Sequence, residues 1–266
     1  MQPTAPQIAL TRPVSTSINQ CELSFLDRKL IDVPRAQHQH EAYNEQLRRL
    51  GLTVVELPAQ HTLPDAVFVE DTAVVVDEIA VAARPGVASR RPEVESAVAV
   101  LQRWRRVVPL PEGAMLDGGD VVKVGRHLLV GLGGRTNQAG VDGLGQALAP
   151  FGYRVTGVPT RDCLHLKTAC SALDEHRLLV HRPWMELAAL AGYELIDVPA
   201  HEAWAANILV LGRDLVMPLG FPETRDLLEV LGFRVHAVDL GELLKAESGV
   251  TCSSIVFTGD PALAVA

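Results

Sequence analysis

Cysteine is scarce in this chain. Four occur among 266 residues, at Cys21, Cys163, Cys170 and Cys252. Their spacing is neither dense nor regular, so no disulfide framework is expected, and reduced thiols in the cytoplasm fit best. Cys163 and His165 lie close enough to suggest a metal pair, but no second pair accompanies them, so neither metal nor cofactor is expected. No run approaches the ~18 apolar residues of a membrane span. The opening MQPTAPQIAL lacks the basic-then-apolar order of a secretory signal. A basic stripe is missing too: the net charge is -8 with signs interleaved, and the cluster Arg103 to Arg106 is short, so no nucleic-acid partner is expected. The negative balance suits a cationic small molecule, and plain solubility accounts for it equally well. A serine-hydrolase nucleophile elbow is absent. No Pro- or Ser-rich linker divides the chain, and its 48% hydrophobic content can fill a sizeable core. One domain spanning residues 1–266 is therefore expected. The oligomeric state is left open, a homodimer included.

What the chain does contain is a repeat. A small or apolar residue, Gly, a bulky residue and a β-rich run recur as LGLTVVELP (50–58), FGYRVTGVP (151–159), AGYELIDVP (191–199) and LGFRVHAVDL (231–240), with a degenerate copy WRRVVPLP (104–111). Helical apolar spacing precedes the phrase, as in TRDLLEVLGF (224–233) and VDGLGQALAPFG (141–152). Gly then stops the helix, and the β-branched run is a strand. Further upstream lie paired apolar runs with a turn between them, as in TAVVVDEIAVAA (72–83), DVVKVGRHLLVG (120–131) and NILVLGRDLVMP (207–218). The unit reads strand, strand, helix, strand. Five such units close into a ring, with sheets inside and helices outside.

In such a ring the first strand of each unit starts near the axis. Charged and reactive residues stand at those starts: Asp65, Glu70 and Asp71; Asp117 and Asp120; His165, Lys167 and Thr168; Asn207; and finally Cys252. Alone, each reads as structure. A single cysteine in a β-rich segment is usually a small buried hydrophobe, and Asp before two glycines usually steadies a turn. At one phase of one repeat they must converge. Paired carboxylates are natural partners for a guanidinium, a planar cation with five donors. Its carbon is weakly electrophilic, so a thiolate is a fitting nucleophile, and histidine can protonate the departing amine. The residues therefore point to thiol-dependent hydrolysis of an arginine-like substrate.

The segments DAVFVEDTAVV, ARPGVASRR, LDGGDV, GGRTNQ, HLKT and the terminal TCSS together resemble the dimethylarginine dimethylaminohydrolases of the guanidine-modifying (pentein) superfamily. The likeness runs from about Arg12 to about Phe257 and implies an α/β fold, a five-bladed ββαβ propeller with pseudo-fivefold symmetry. It implies hydrolysis of methylated arginines to citrulline through a covalent thiouronium on Cys252, with His165 as general acid and base and Asp117 supporting it. By the same resemblance Asp71 holds the guanidinium, Glu70 supports that region, and Asp65 meets the α-amino group. Arg90 and Arg135 secure the α-carboxylate, while Leu23 and Ala246 contribute backbone contacts. Arginine deiminase chemistry, amidino transfer and a non-catalytic binding module remain alternatives; the last predicts a missing Cys or His at positions where both are present.

Overall fold

Each echoed phrase becomes the third strand of a three-stranded sheet. A computed structural model describes residues 6–265 of the chain; Met1 to Ala5, within the opening stretch read above for a secretory signal, lie outside the described residues. The first unit holds strand β1 (Gln7–Thr11), helix α1 (Val33–Arg49) and β2 (Thr53–Glu56). Asp32 caps α1 by accepting the Arg35 N–H, and Arg48 and Arg49 occupy its last turn, where cations favour the helix dipole. The second holds β3 (Ala73–Val75), β4 (Ile79–Ala82), α2 (Glu93–Leu101) and β5 (Arg106–Pro109). The third holds β6 (Val121–Val124), β7 (His127–Leu132), α3 (Gln138–Leu148) and β8 (Arg154–Pro159). In the fourth, the short helix α4 (Leu166–Ala169) leads into β9 (Cys170–Ala172), β10 (Arg177–Val180) and β11 (Glu194–Asp197). The fifth holds β12 (Leu209–Leu211), β13 (Asp214–Pro218), α5 (Pro222–Val230) and β14 (Arg234–Val238). Helix α6 (Gly241–Leu244) follows, and β15 (Ile255–Thr258) returns to the first unit.

In every sheet the middle strand pairs antiparallel with the first and parallel with the third, as ββαβ connectivity requires. β15 is the first strand of the first sheet: it pairs antiparallel with β1, aligning Leu10 with Ile255 and Gln7 with Thr258. The ring is thus closed by strands from opposite ends of the sequence. The propeller expected from the repeat is the fold observed.

The phrase glycines explain why the repeat is visible. Gly51, Gly152, Gly192 and Gly232 all sit at positive φ, between 75° and 100°. There the chain leaves the crossover and turns back into the sheet, in a conformation costly for any residue with a Cβ. The fourth unit departs from expectation. Its crossover contains no α-helix; 3-10 turns at Arg182–Trp184 and Leu187–Leu190 replace it. Only residues 181–193 separate β10 from β11, and Pro183 within them can donate no backbone N–H. Trp184 fills the resulting space, edge-on to His181 at 4.5 Å and to Trp204 at 5.8 Å between ring centroids.

Apolar clusters fill the gaps between crossovers and sheets. In the third unit Leu144 of α3 packs with Leu128 and Val130 of β7, all fully buried. Truncating such a leucine to alanine removes about 2–5 kcal/mol. Among the described residues no helix is long and apolar enough to cross a membrane.

Candidate active site

A short helical turn precedes the first strand of every sheet. The turns are Val69–Thr72, Gly118–Asp120, Leu166–Ala169, Ala200–Ala206 and Thr251–Ser253. Because each sheet starts at the axis, the five turns meet there, and their side chains face one another. A small, narrow cavity lies against them, lined in part by Asp65, Asp71, Arg90, Arg135, His165, Ala246 and Cys252. Seven of the ten residues singled out from the sequence therefore share one wall. Of the other three, Asp117 is fully buried and reaches the cavity through His165. Glu70 lies one layer behind. Leu23 turns its side chain onto the apolar cluster around α1, and its neighbour Glu22 supplies the wall there.

His165 is the electrostatic centre. Its Nε2 lies 3.1 Å from Asp117 Oδ2 and 3.9 Å from Asp71 Oδ1. Burial alone would lower its pKa, but the charge of Asp71, the hydrogen bond to Asp117 and the further charges of Asp120 and Asp117 outweigh it and raise the value to about 9. At neutral pH the ring is an imidazolium. Asp71 shows the complementary shift. Burial pushes it up, yet His165, Arg90 and the Gly119 N–H at 2.8 Å bring it down to about 2.

Cys252 faces the same field with the opposite result. Burial first, then the charges of Glu70 and Asp71, push its thiol up to about 12; the Gly249 N–H, 3.2 Å from Sγ, and the charge of Lys167 act against them. Burial and the two carboxylates outweigh these, so the thiol keeps its proton. Glu70 is held behind Cys252 by Lys167 Nζ at 2.6 Å and by the Thr251 hydroxyl at 2.7 Å. Asn207 donates to Thr251 Oγ1 at 3.0 Å and accepts the Thr251 N–H at the same distance, fixing the turn that carries Cys252.

The two arginines paired in the sequence reading differ in state. Arg90 is saturated from within: Nη1 donates to Asp71 at 2.6 Å, while Nε and Nη2 form a fork onto Glu93 at 3.2 and 2.8 Å. Arg135 is buried as well, but its Nη1 has no hydrogen-bond partner and lies 3.9 Å from Asp117. A buried unpaired guanidinium nitrogen beside a cavity is a donor that an incoming anion can satisfy. Glu93, Glu22 and Glu247 escaped the sequence reading, which placed Lys167 at a strand start near the axis without giving it a role. Lys167 stood within HLKT, and Glu93 is signalled only by its i,i+3 relation to Arg90 on a turn-to-helix junction.

Asp71, Asp117 and His165 offer ligand atoms within 4.8 Å of one another, a spacing compatible with a metal ion. An imidazolium has no lone pair to give, and Asp71 already accepts Arg90, so the donor set as it stands suits an organic cation better than a metal.

A family model described as arginine deiminase matches residues 61–207. A dimethylarginine dimethylaminohydrolase of Streptomyces coelicolor is 39% identical over 253 residues, covering 93% of this chain and 95% of the relative. The Pseudomonas aeruginosa protein of the same name is 32% identical over 228 residues, covering 85% and 90%. A solved structure of that Pseudomonas protein, a cysteine-to-serine mutant complexed with citrulline, superposes with a TM-score of 0.90 at 29% identity, covering 96% of this chain and 100% of the other. With 39% identity across nearly the whole length of both chains and a shared fold, the chain belongs to the dimethylarginine dimethylaminohydrolase family.

Proposed function

We propose that the protein hydrolyses Nω-methylated arginines, asymmetric dimethylarginine and monomethylarginine, to citrulline and the corresponding methylamine. One observation carries the reading: a small cavity joins the thiol of Cys252 to an imidazolium held by two carboxylates, with an unpartnered Arg135 nitrogen beside it. The carboxylates answer the substrate's guanidinium, and Arg135 answers its α-carboxylate.

The ionisation states set the order of steps. The guanidinium enters beside Asp71 and brings a positive charge to the place where Glu70 and Asp71 hold the thiol protonated. Its charge lowers the thiol pKa, Cys252 loses its proton to solvent water, and the thiolate attacks the guanidinium carbon. The tetrahedral adduct collapses as His165 gives its proton to the departing amine, leaving a thiouronium on Sγ. His165, now neutral, takes a proton from water, and the hydroxide attacks the same carbon. Sulfur then leaves and takes up the proton that the adduct's hydroxyl sheds, which restores the thiol, and neutral citrulline departs. Asp117 keeps the ring oriented and stabilises the imidazolium that the proton taken from water regenerates.

Four free thiols, of which Cys252 must stay reduced, fit a reducing compartment such as the cytoplasm. The test is citrulline release from asymmetric dimethylarginine, monomethylarginine and arginine by the purified protein. Methylated substrates should be preferred, and Cys252→Ser should abolish release. Turnover of arginine alone would assign the protein to deiminase chemistry instead.

A further inference from the structure

The cavity is roofed by the loop that follows β1, and that loop hangs from two carboxylates. The Glu22 N–H donates to both oxygens of Asp65 at 3.2 Å. The next three amides but one converge on Glu247: Ser24 N at 2.9 and 3.0 Å, Phe25 N at 2.5 Å and Leu26 N at 2.5 Å. Leu23 is bracketed between the two clamps. The same segment reaches the far end of the loop, where Lys245 Nζ donates to Leu30 O at 3.1 Å.

Beyond Leu23, which packs on the cluster around α1, apolar burial contributes little to holding this roof down. Phe25 and Leu26 are 51% and 38% exposed, and Leu30 is 83% exposed. Glu247 itself is only 2% exposed and lines the cavity beside Ala246. Its φ is +57°, and Asp162 is the one other non-glycine residue at positive φ among the described residues. A side chain persists in that region when its surroundings hold it there. Three successive amides aimed at one anion are such a hold.

We propose that Glu247 is a positioning residue: its carboxylate clamps the roof of the cavity and so sets the backbone of Leu23 and the Glu22 side chain at the rim where substrate enters. This rests on the cavity being the substrate site.

Two variants test it. Glu247→Gly keeps the backbone conformation comfortable but deletes the clamp; Glu247→Gln keeps a neutral acceptor. Hydrogen exchange of residues 22–30 is followed in the unliganded protein, beside KM and kcat for asymmetric dimethylarginine. In the glycine variant, lid exchange should accelerate at least about 10-fold, as expected for one lost charge-assisted hydrogen bond. KM should rise at least about 10-fold while kcat stays within about 3-fold, the mark of lost ground-state positioning. Glutamine should fall between glycine and the parent. Wild-type lid exchange in the glycine variant, or faster exchange with unchanged KM, overturns the proposal. Lid exchange is read without substrate, so the clamp and the proposed reaction can fail separately.

Discussion

The backbone of Gly119 runs so close to His165 that a Cβ built on it would stand 2.6 Å from the ring Nδ1. The same carbon would stand 2.7 Å from Asp71 Oδ1. Two catalytic-site side chains are thus packed against a backbone with no room for a methyl group.

Gly119→Ala should therefore part His165 from Asp71 without unfolding the chain. Displacements near 1 Å cost about 100-fold in rate when groups must be aligned, so kcat should fall by about that factor. Steady-state kinetics, with circular dichroism as the check on folding, measure it. An alanine variant with parental kcat would mean that the geometry at Gly119 does not matter.

The second prediction concerns pH. His165 has a folded value of about 9 against an ordinary value of 6.5. Its contribution to stability is complete below about 6.5 and fades as pH rises through about 9, and the proton it donates to the leaving amine is lost over the same rise. The kcat/KM profile, which reports the free protein, should show an alkaline limb near pH 9. Asp117→Asn removes the hydrogen-bonded charge, so the limb should move to lower pH; an unmoved limb would assign it to another group.

The third concerns the thiol. With its pKa near 12, Cys252 of the free protein should react slowly with iodoacetamide at pH 7.5, with a rate still climbing at pH 10. A bound guanidinium that leaves Sγ accessible should accelerate labelling. Mass spectrometry of the Cys252 peptide gives the rates, and a plateau below pH 8 would contradict the field of Glu70 and Asp71 described above.

The fourth concerns stability. Arg90→Met leaves Asp71 and Glu93 buried without their shared cation, and removing one member of such a group typically costs about 3–5 kcal/mol. Burial already lifts Glu93 to about 7 despite Arg90. In the variant Glu93 should take up a proton more readily, so the loss should be larger at pH 8 than at pH 6. Urea unfolding at the two pH values decides.

Much of the fold was legible because one glycine recurs where each crossover must turn: Gly51, Gly152, Gly192 and Gly232 mark four of five units, and the degenerate WRRVVPLP still forms β5. The convergence of Asp71, His165 and Cys252 followed from their shared place before a first strand. The fourth crossover misled because the phrase AGYELIDVP looks the same whether a helix or 3-10 turns precede it. The ties of Arg90 to both Asp71 and Glu93 were hidden for a different reason. A guanidinium can aim at a ligand or at its own carboxylates, and only packing decides which. Glu247 left no periodic signature, since its conformation is set by amides more than 200 residues away in the chain.

The pairing of β15 with β1 has a consequence for biosynthesis. The proposed nucleophile lies just ahead of the strand that completes the first sheet, so a ribosome finishes every other part of the candidate site before Cys252 is in place. Until then β1 presents an open edge to other chains, a known route to aggregation. A nascent chain, or one shortened ahead of Cys252, is therefore expected to be both inert and adhesive, and synthesis through β15 ends both conditions at once.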